Sequence, residues 1–317
     1  MQAPYLAGDA LIASDGARLP TRRWLPATDV RATVLAVHGF NDYSESFDAL
    51  GGSLAGRGIA VYAYDQRGFG RAPNRGLWPG EAVLVRDLTE VFAAIGREHP
   101  GTPLYILGDS MGGAVAMVAL ARGALPKIEG AVLVAPAVWG RETMNPLYRL
   151  ALWTGAHTLP WLTLSGRGLG VTPSDNVEML RALGRDPLVI KETRIDALSG
   201  VVDLMDQALV AAGDIHHPLL VLYGARDEII PKYPTAVMLA RLSAPHRVAI
   251  YDRGYHMLLR DLQAATVHRD VAAWIADPAA ALPSGADGLA VVALARDSLS
   301  EAAEAARTAP PAAAAAP

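Results

Sequence analysis

The run Leu104-Tyr105-Ile106-Leu107-Gly108-Asp109-Ser110-Met111-Gly112-Gly113 decides the fold. Four apolar residues of strand length lead into a turn of small residues. A helical pattern then runs from Met111 to Ala121. A Gly-x-Ser-x-Gly sequence between a strand and a helix has the context of a nucleophile elbow. The reason is steric. In so tight a turn, side chains at Gly108 and Gly112 would strike neighbouring backbone, and Gly113 lets the helix approach the sheet. Ser110 is expected in a strained backbone region, its Oγ held above the sheet. The helix N-terminus favours negative charge beside it.

Outward from this run, apolar segments of strand length alternate with helical patterns. Thr33 to Val37, Ile59 to Tyr64, Ala131 to Val134, Leu219 to Tyr223 and Val248 to Tyr251 read as further strands. They are continuous apolar runs, as strands covered on both faces of a parallel sheet are. Glu81 to Glu98 and Thr235 to Leu242 read as helices between them. The alternation predicts an α/β fold with a mostly parallel central sheet flanked by helices. The start differs: Ala10 to Ala13, the turn Ser14-Asp15-Gly16 and Leu19 to Trp24 predict an antiparallel hairpin at the sheet edge.

The strand spacing breaks once. About eighty residues separate Ala135 from Leu219, far more than a simple crossover needs. The expected division is a core of 1–135 and 218–282, an inserted helical cap of 136–217, and an alanine-rich tail of 283–317, with 289–306 helical by propensity. The cap holds Trp139, Trp153 and Trp161, and between Asn145 and Gly166 its only formal charge is Arg149.

Composition narrows the function. The 317 residues are 51% hydrophobic and 19% charged, enough to bury a sizeable core. A net charge of −4 gives no basic footprint, so no nucleic-acid partner is expected. The chain has no cysteine, which removes disulfides, thiolate metal sites and cysteine nucleophiles together. No signal-peptide pattern opens the chain, and a cytoplasmic location is expected.

A serine hydroxyl needs a base. In folds of this type the order along the chain is Ser, Asp/Glu, His. His256, in Asp252-Arg253-Gly254-Tyr255-His256, follows the last strong strand, at the carboxyl edge where open α/β sheets carry their sites. His216 and His217 precede a strand and fall at the wrong edge. Asp227 follows Leu222-Tyr223-Gly224-Ala225-Arg226 and suits the acid that orients the imidazole. Glu228 is its competitor, and turn capping is the ordinary role for either. Asp252 lies too close to His256. The oxyanion hole needs two backbone N–H groups. Met111 supplies one and the turn His38-Gly39-Phe40-Asn41 the other, through Phe40, with His38 bracing the turn. Asp65-Gln66-Arg67-Gly68-Phe69-Gly70 reads as a structural turn. It lacks the lysine and Ser/Thr of a phosphate loop.

As a set, the elbow, His38-Gly39, Asp65-x-Arg67-Gly68-x-Gly70, Gly224-x-x-Asp227 with Pro231, and Gly254-Tyr255-His256 resemble the α/β-hydrolase superfamily. Within it they are most similar to the monoacylglycerol lipase and lysophospholipase-like branch, grouped with serine aminopeptidase-like hydrolases. The resemblance spans roughly Leu11 to Ala276. It implies the α/β-hydrolase fold and esterase or lipase activity without a cofactor or metal. It also implies a cap that controls access. Four positions depart from the branch. Tyr43 stands where a histidine often precedes Ser44, Phe69 and Ala72 replace a histidine and a serine, and Met257 replaces an acidic residue.

The expected reaction is acyl transfer to water through an acyl-serine, on a small hydrophobic ester. Trp139, Leu147, Leu150, Trp153 and Trp161 are the expected substrate-binding residues, suited to a long acyl chain. The same apolar segment has two further readings, packing onto the main domain or transient contact with a lipid surface. Gly155 and Pro160 interrupt it, so it does not span a bilayer. The alternatives are a serine aminopeptidase-like peptidase, which would use acidic cap residues such as Glu178, Asp186, Glu192 or Asp196 for an α-amino group, and a broad short-chain carboxylesterase. Dehalogenases and epoxide hydrolases of this fold use an aspartate where Ser110 stands. Oligomeric state is left open by the sequence.

Overall fold

The computed structural model describes residues 3–125, 127–166 and 170–288. The expected helix over 289–306 lies outside the described residues. The chain runs β1 (Tyr5–Ala7), β2 (Ala10–Ile12), β3 (Arg18–Trp24), β4 (Ala32–Val37), α1 (Asp48–Ala55), β5 (Ile59–Tyr64), α2 (Glu81–Glu98), β6 (Leu104–Asp109), α3 (Met111–Ala121) and β7 (Ile128–Val134). Then come α4 (Pro146–Thr158), β8 (Thr163–Ser165), α5 (Val177–Arg185), β9 (Glu192–Arg194) and α6 (Ile195–Ala211). The fold closes with β10 (Leu219–Gly224), α7 (Lys232–Arg241), β11 (His246–Tyr251) and α8 (Ala264–Ala276).

Nine strands form one sheet in the order β1-β2-β3-β5-β4-β6-β7-β10-β11. The pairs from β5 to β11 are parallel, and β1, β2 and β3 add on antiparallel. This is the α/β-hydrolase arrangement, with the expected N-terminal hairpin extended by β1. Successive residues of the central strands alternate between two cores. Leu35, Val37, Ile106, Leu133 and Val221 pack on the side of α2, α3 and α6. Val34, Ala36, Leu107, Val134 and Leu222 pack on the side of α1 and α8. Because both faces are covered, the central strands are buried throughout, which is why they read as unbroken apolar runs.

Between β7 and β10 the chain departs from all-helical. β8 and β9 pair antiparallel, Leu164 opposite Thr193. Strands of three residues are too short to carry an alternating pattern, which is why the sequence reads as helix and loop. α4 has no buried residue, whereas α6 sends Val201, Leu204, Ala208 and Leu209 into the core. α7 begins at Lys232, ahead of the predicted Thr235. Pro234 falls in its first turn, where the missing N–H would have had no intrahelical partner.

Two glycines test how tightly α3 sits on the sheet. A methyl group at Gly112 would collide with the Val37 carbonyl of β4 and come within 2.8 Å of the His38 oxygen. Exposed Gly52 on α1 has open space beside it. In thermal melts followed by circular dichroism, Gly112→Ala is expected to lose on the order of 3 kcal/mol or more, as overpacking against backbone does. Gly52→Ala is expected to be neutral or to gain up to about 1 kcal/mol from helix propensity. Equal melting of the two variants would contradict this packing.

Candidate active site

β6 ends at Asp109, and the chain turns into α3 through Ser110, whose φ of 50° and ψ of −112° lie outside the usual regions. Such strain persists only where its surroundings over-determine it. Here the Ser110 N–H donates to the Val134 carbonyl at 2.9 Å, and its carbonyl accepts from Ala137 N at 2.9 Å and Ala114 N at 3.2 Å. A methyl group at Gly108 would stand 2.6 Å from the Gly112 oxygen, so the turn has no room for a side chain. Met111 heads α3, where helix N–H groups have no intrahelical acceptor.

His256 and Asp227 meet across two strand ends. Gly224, closing β10, lies so near the loop after β11 that an added methyl group would be 2.6 Å from the Gly254 oxygen. The loops are joined by Ala225 N to Tyr251 O and Arg226 N to Gly254 O. Asp227 is buried, and its two oxygens divide the work. Oδ1 accepts from the N–H groups of Ile229 at 2.8 Å and Ile230 at 3.0 Å, capping its own turn. Oδ2 accepts from His256 Nδ1 at 2.8 Å. Capping and imidazole orientation therefore coexist in one carboxylate. Glu228 is exposed and accepts from Thr172 N, and Asp252 is exposed. Around His256, Tyr255 N donates to Asp261 at 2.8 Å and Met257 N to the Pro173 carbonyl at 3.0 Å. With Nδ1 donating to a carboxylate, Nε2 is left as the basic nitrogen.

The turn after β4 rests on the elbow. A methyl group at Gly39 would be 3.4 Å from Ser110 Cβ. His38 is buried, and its Nε2 accepts from Gln66 N at 3.0 Å. Its Nδ1 therefore carries the proton and donates to the Gly39 carbonyl at 2.8 Å. Burial holds this imidazole below its ordinary pKa, keeping the tautomer neutral. The Gly39 carbonyl shares a peptide plane with the Phe40 N–H, so His38 fixes the direction of that N–H. Phe69 meets the rings of His38 and Phe40 edge-on. Tyr43 donates to Asp186 at 2.7 Å. Asp65 braces the next turn by accepting from Ser44 N, Ser44 Oγ and Arg71 N.

Three features were missed by the sequence reading. Asp109 is buried beside the serine, and burial pushes its carboxyl up to about 6. Arg260 ion-pairs with buried Asp42. Asn41 bonds Thr193 of β9 at 2.7 Å. Each is assembled by tertiary contact, and only the Asp109 position, next to the serine, carried a local signal.

The expected substrate-binding residues split. Trp139 is half-buried against the core. Leu147, Leu150, Trp153 and Trp161 stand in solvent, 55% to 61% exposed. Leu159, Leu162 and Tyr148 extend the same apolar surface.

Comparison with known proteins finds relatives of the chain. The family described as serine aminopeptidase, S33, matches residues 28–263. A monoglyceride lipase of Mus musculus is 29% identical over 289 residues, covering 89% of this chain and 94% of its own. A monoacylglycerol lipase of Mycolicibacterium smegmatis is 27% identical, covering 82% of this chain and 93% of its own. The fold is shared with a soluble variant of monoglyceride lipase from Saccharomyces cerevisiae, solved with a substrate analog. Its TM-score is 0.72 at 21% identity, over 87% of this chain and 96% of that one.

His256 sits under opposing influences. Burial disfavours its charged form, but the Asp227 carboxylate and then Asp109 outweigh burial and hold the imidazole above its ordinary value of 6.5. In long-range 1H–15N NMR titrations, assigned with a His256→Gln control, its midpoint is expected above pH 6.5. Asp109→Asn lowers the midpoint, and Asp227→Asn takes it below 6.5 because burial then prevails. A wild-type midpoint below 6.5 would contradict this balance.

Proposed function

Since the chain belongs to the serine aminopeptidase S33 family, we propose that it hydrolyses lipid-like monoesters of the monoacylglycerol type through an acyl intermediate on Ser110. It is a serine hydrolase of carboxylic esters. The observation that carries the site assignment is the buried His256–Asp227 pair at neighbouring strand ends, on the same edge of the sheet as the strained Ser110 elbow.

Ser110 Oγ attacks the ester carbonyl as His256 Nε2 takes its proton. The Phe40 and Met111 N–H groups stabilise the oxyanion. The C–O bond breaks, and the alcohol leaves with the proton from His256. Water then attacks the acyl-serine, giving its proton to His256, and the proton returns to Ser110 as the carboxylic acid departs. Asp227 holds Nδ1–H and stabilises the imidazolium without itself being protonated.

The division into a core of 1–135 and 218–282 and a cap of 136–217 is part of the proposal, with α6 as the segment of the cap bound into the core. Trp139 and the apolar residues of α4 and the loop after it receive the acyl chain. Their exposed surface also docks on a lipid surface, Arg149 being the one charge within it. Among the described residues no helix is long and apolar enough to cross a membrane. The peptidase reading needs free acidic groups in the cap. Asp196 is bonded to Arg194 and Asp186 to Tyr43, so these two are already committed.

With p-nitrophenyl esters and monoacylglycerols of increasing chain length, kcat/KM is expected to rise toward longer acyl groups. Aminoacyl arylamides are expected to be poor substrates. Ser110→Ala is expected to remove turnover by several powers of ten in folded protein. A preference for arylamides, or unchanged turnover in the variant, would contradict the reading. In liposome flotation the wild type is expected with the vesicles, and Trp153→Ser/Trp161→Ser with the soluble fraction. A wild type that stays soluble would remove the lipid-surface contact.

A further inference from the structure

A single residue after Phe40 is tied to the insertion. Asn41 has a φ of 65°, in the left-handed region that asparagine tolerates better than most side chains. Its two polar ends are both held by the segment leading into and along β9. The Asn41 carbonyl accepts from Ile190 N at 3.0 Å. Its Nδ2 donates to Thr193 Oγ1 at 2.7 Å. Thr193 is 8% exposed and lies in register with Leu164 of β8. These contacts join residues far apart in the chain, and nothing in the chemistry of acyl transfer alone calls for them.

We propose that β9, acting through Thr193 on Asn41, positions the Phe40 N–H that binds the oxyanion, so that the insertion and the oxyanion hole act as one unit. Asn41 and Thr193 are positioning residues, acting through the Phe40 peptide. The proposal rests on the acyl-transfer reading given above and adds to it the residues that set the donor's place.

The geometry supports the link from both sides. On the N-terminal side, His38 holds the carbonyl of the peptide unit whose N–H belongs to Phe40. On the C-terminal side, the chain leaves through the left-handed turn at Asn41, and two hydrogen bonds from 190–193 hold that turn. Oxyanion donors act over a narrow range of about 2.7–3.1 Å, so a small shift of the turn costs rate before it costs binding. The path also continues outward. Ile195 N donates to Leu162 O at 2.9 Å and Asp196 N to Pro160 O at 3.0 Å, joining the start of α6 to the loop after α4. That loop carries exposed Trp161 and Leu162. A displacement of α4 and its loop therefore reaches the oxyanion turn through β9 and Thr193.

Thr193→Val keeps the shape and removes the acceptor. Steady-state hydrolysis of a short p-nitrophenyl ester is expected to show kcat lower by about tenfold, with KM within about twofold. Removing an oxyanion donor outright costs ~10²–10³, so a misplaced donor costs less. A trifluoromethyl ketone, which forms a tetrahedral oxyanion on the serine, is expected to bind more weakly by the factor lost in kcat/KM. Thr193→Ser, which retains the hydroxyl, is expected to recover most of both losses. Asn41→Gly, which accepts the left-handed turn but has no side chain, is expected to repeat the Val pattern. Wild-type kcat and ketone affinity in Thr193→Val, or a loss confined to KM or to thermal stability, would overturn the proposal. Absence of ester turnover in the wild type would instead overturn the acyl-transfer reading beneath it.

Discussion

The close approach of α3 to β4 governs the rest of the site. Gly112 has no side chain because the Val37 and His38 carbonyls occupy the space one would need. That contact presses the first turn of α3 against the end of β4. Ser110 is thereby forced into its strained conformation, and the loop leaving β4 is forced over it. The methyl group that Gly39 lacks would touch Ser110 Cβ. One steric constraint thus sets both the pose of the serine and its distance from the proposed oxyanion donor. The hydrogen bonds at both ends of Ser110 offset the strain.

The electrostatics depend on the same burial. His38, Asp42, Asp109, Asp227 and His256 are all buried at this edge of the sheet. Burial alone would discharge each of them. His38 yields to it and stays neutral, which suits a group that serves only as a hydrogen-bond brace. His256 does not, because Asp227 donates its field as well as an acceptor. Asp42 has the Arg260 guanidinium. At Asp109 burial outweighs the opposing fields of His256 and Arg260, and its carboxyl is pushed up to about 6. The site combines a neutral imidazole that holds a turn with a second imidazole poised to accept a proton.

Much of this was legible in the sequence because it is local or periodic. The buried parallel strands announce themselves as apolar runs. α2 and α3 have the predicted bounds, since a helical period sustained over many residues leaves little freedom. The fold and family followed from motifs placed at successive strand ends. What stayed hidden is non-local. β8 and β9 are too short for a pattern, and Asn41 finds Thr193 across 152 residues. The apolar face of α4 reads the same in sequence whether it packs inward or faces outward, and only the fold distinguishes them: it faces outward. The contact of Phe69 with the His38 and Phe40 rings is likewise tertiary, and the turn it belongs to gives no sign of it in the sequence.

The most direct test of the central claim is where a covalent intermediate forms. The protein would be treated with a fluorophosphonate carrying an alkyl chain, digested, and mapped by tandem mass spectrometry. The account predicts one adduct per chain, on Ser110, appearing at the rate at which ester hydrolysis is lost. Label on another residue, or full labelling with hydrolysis intact, would contradict it.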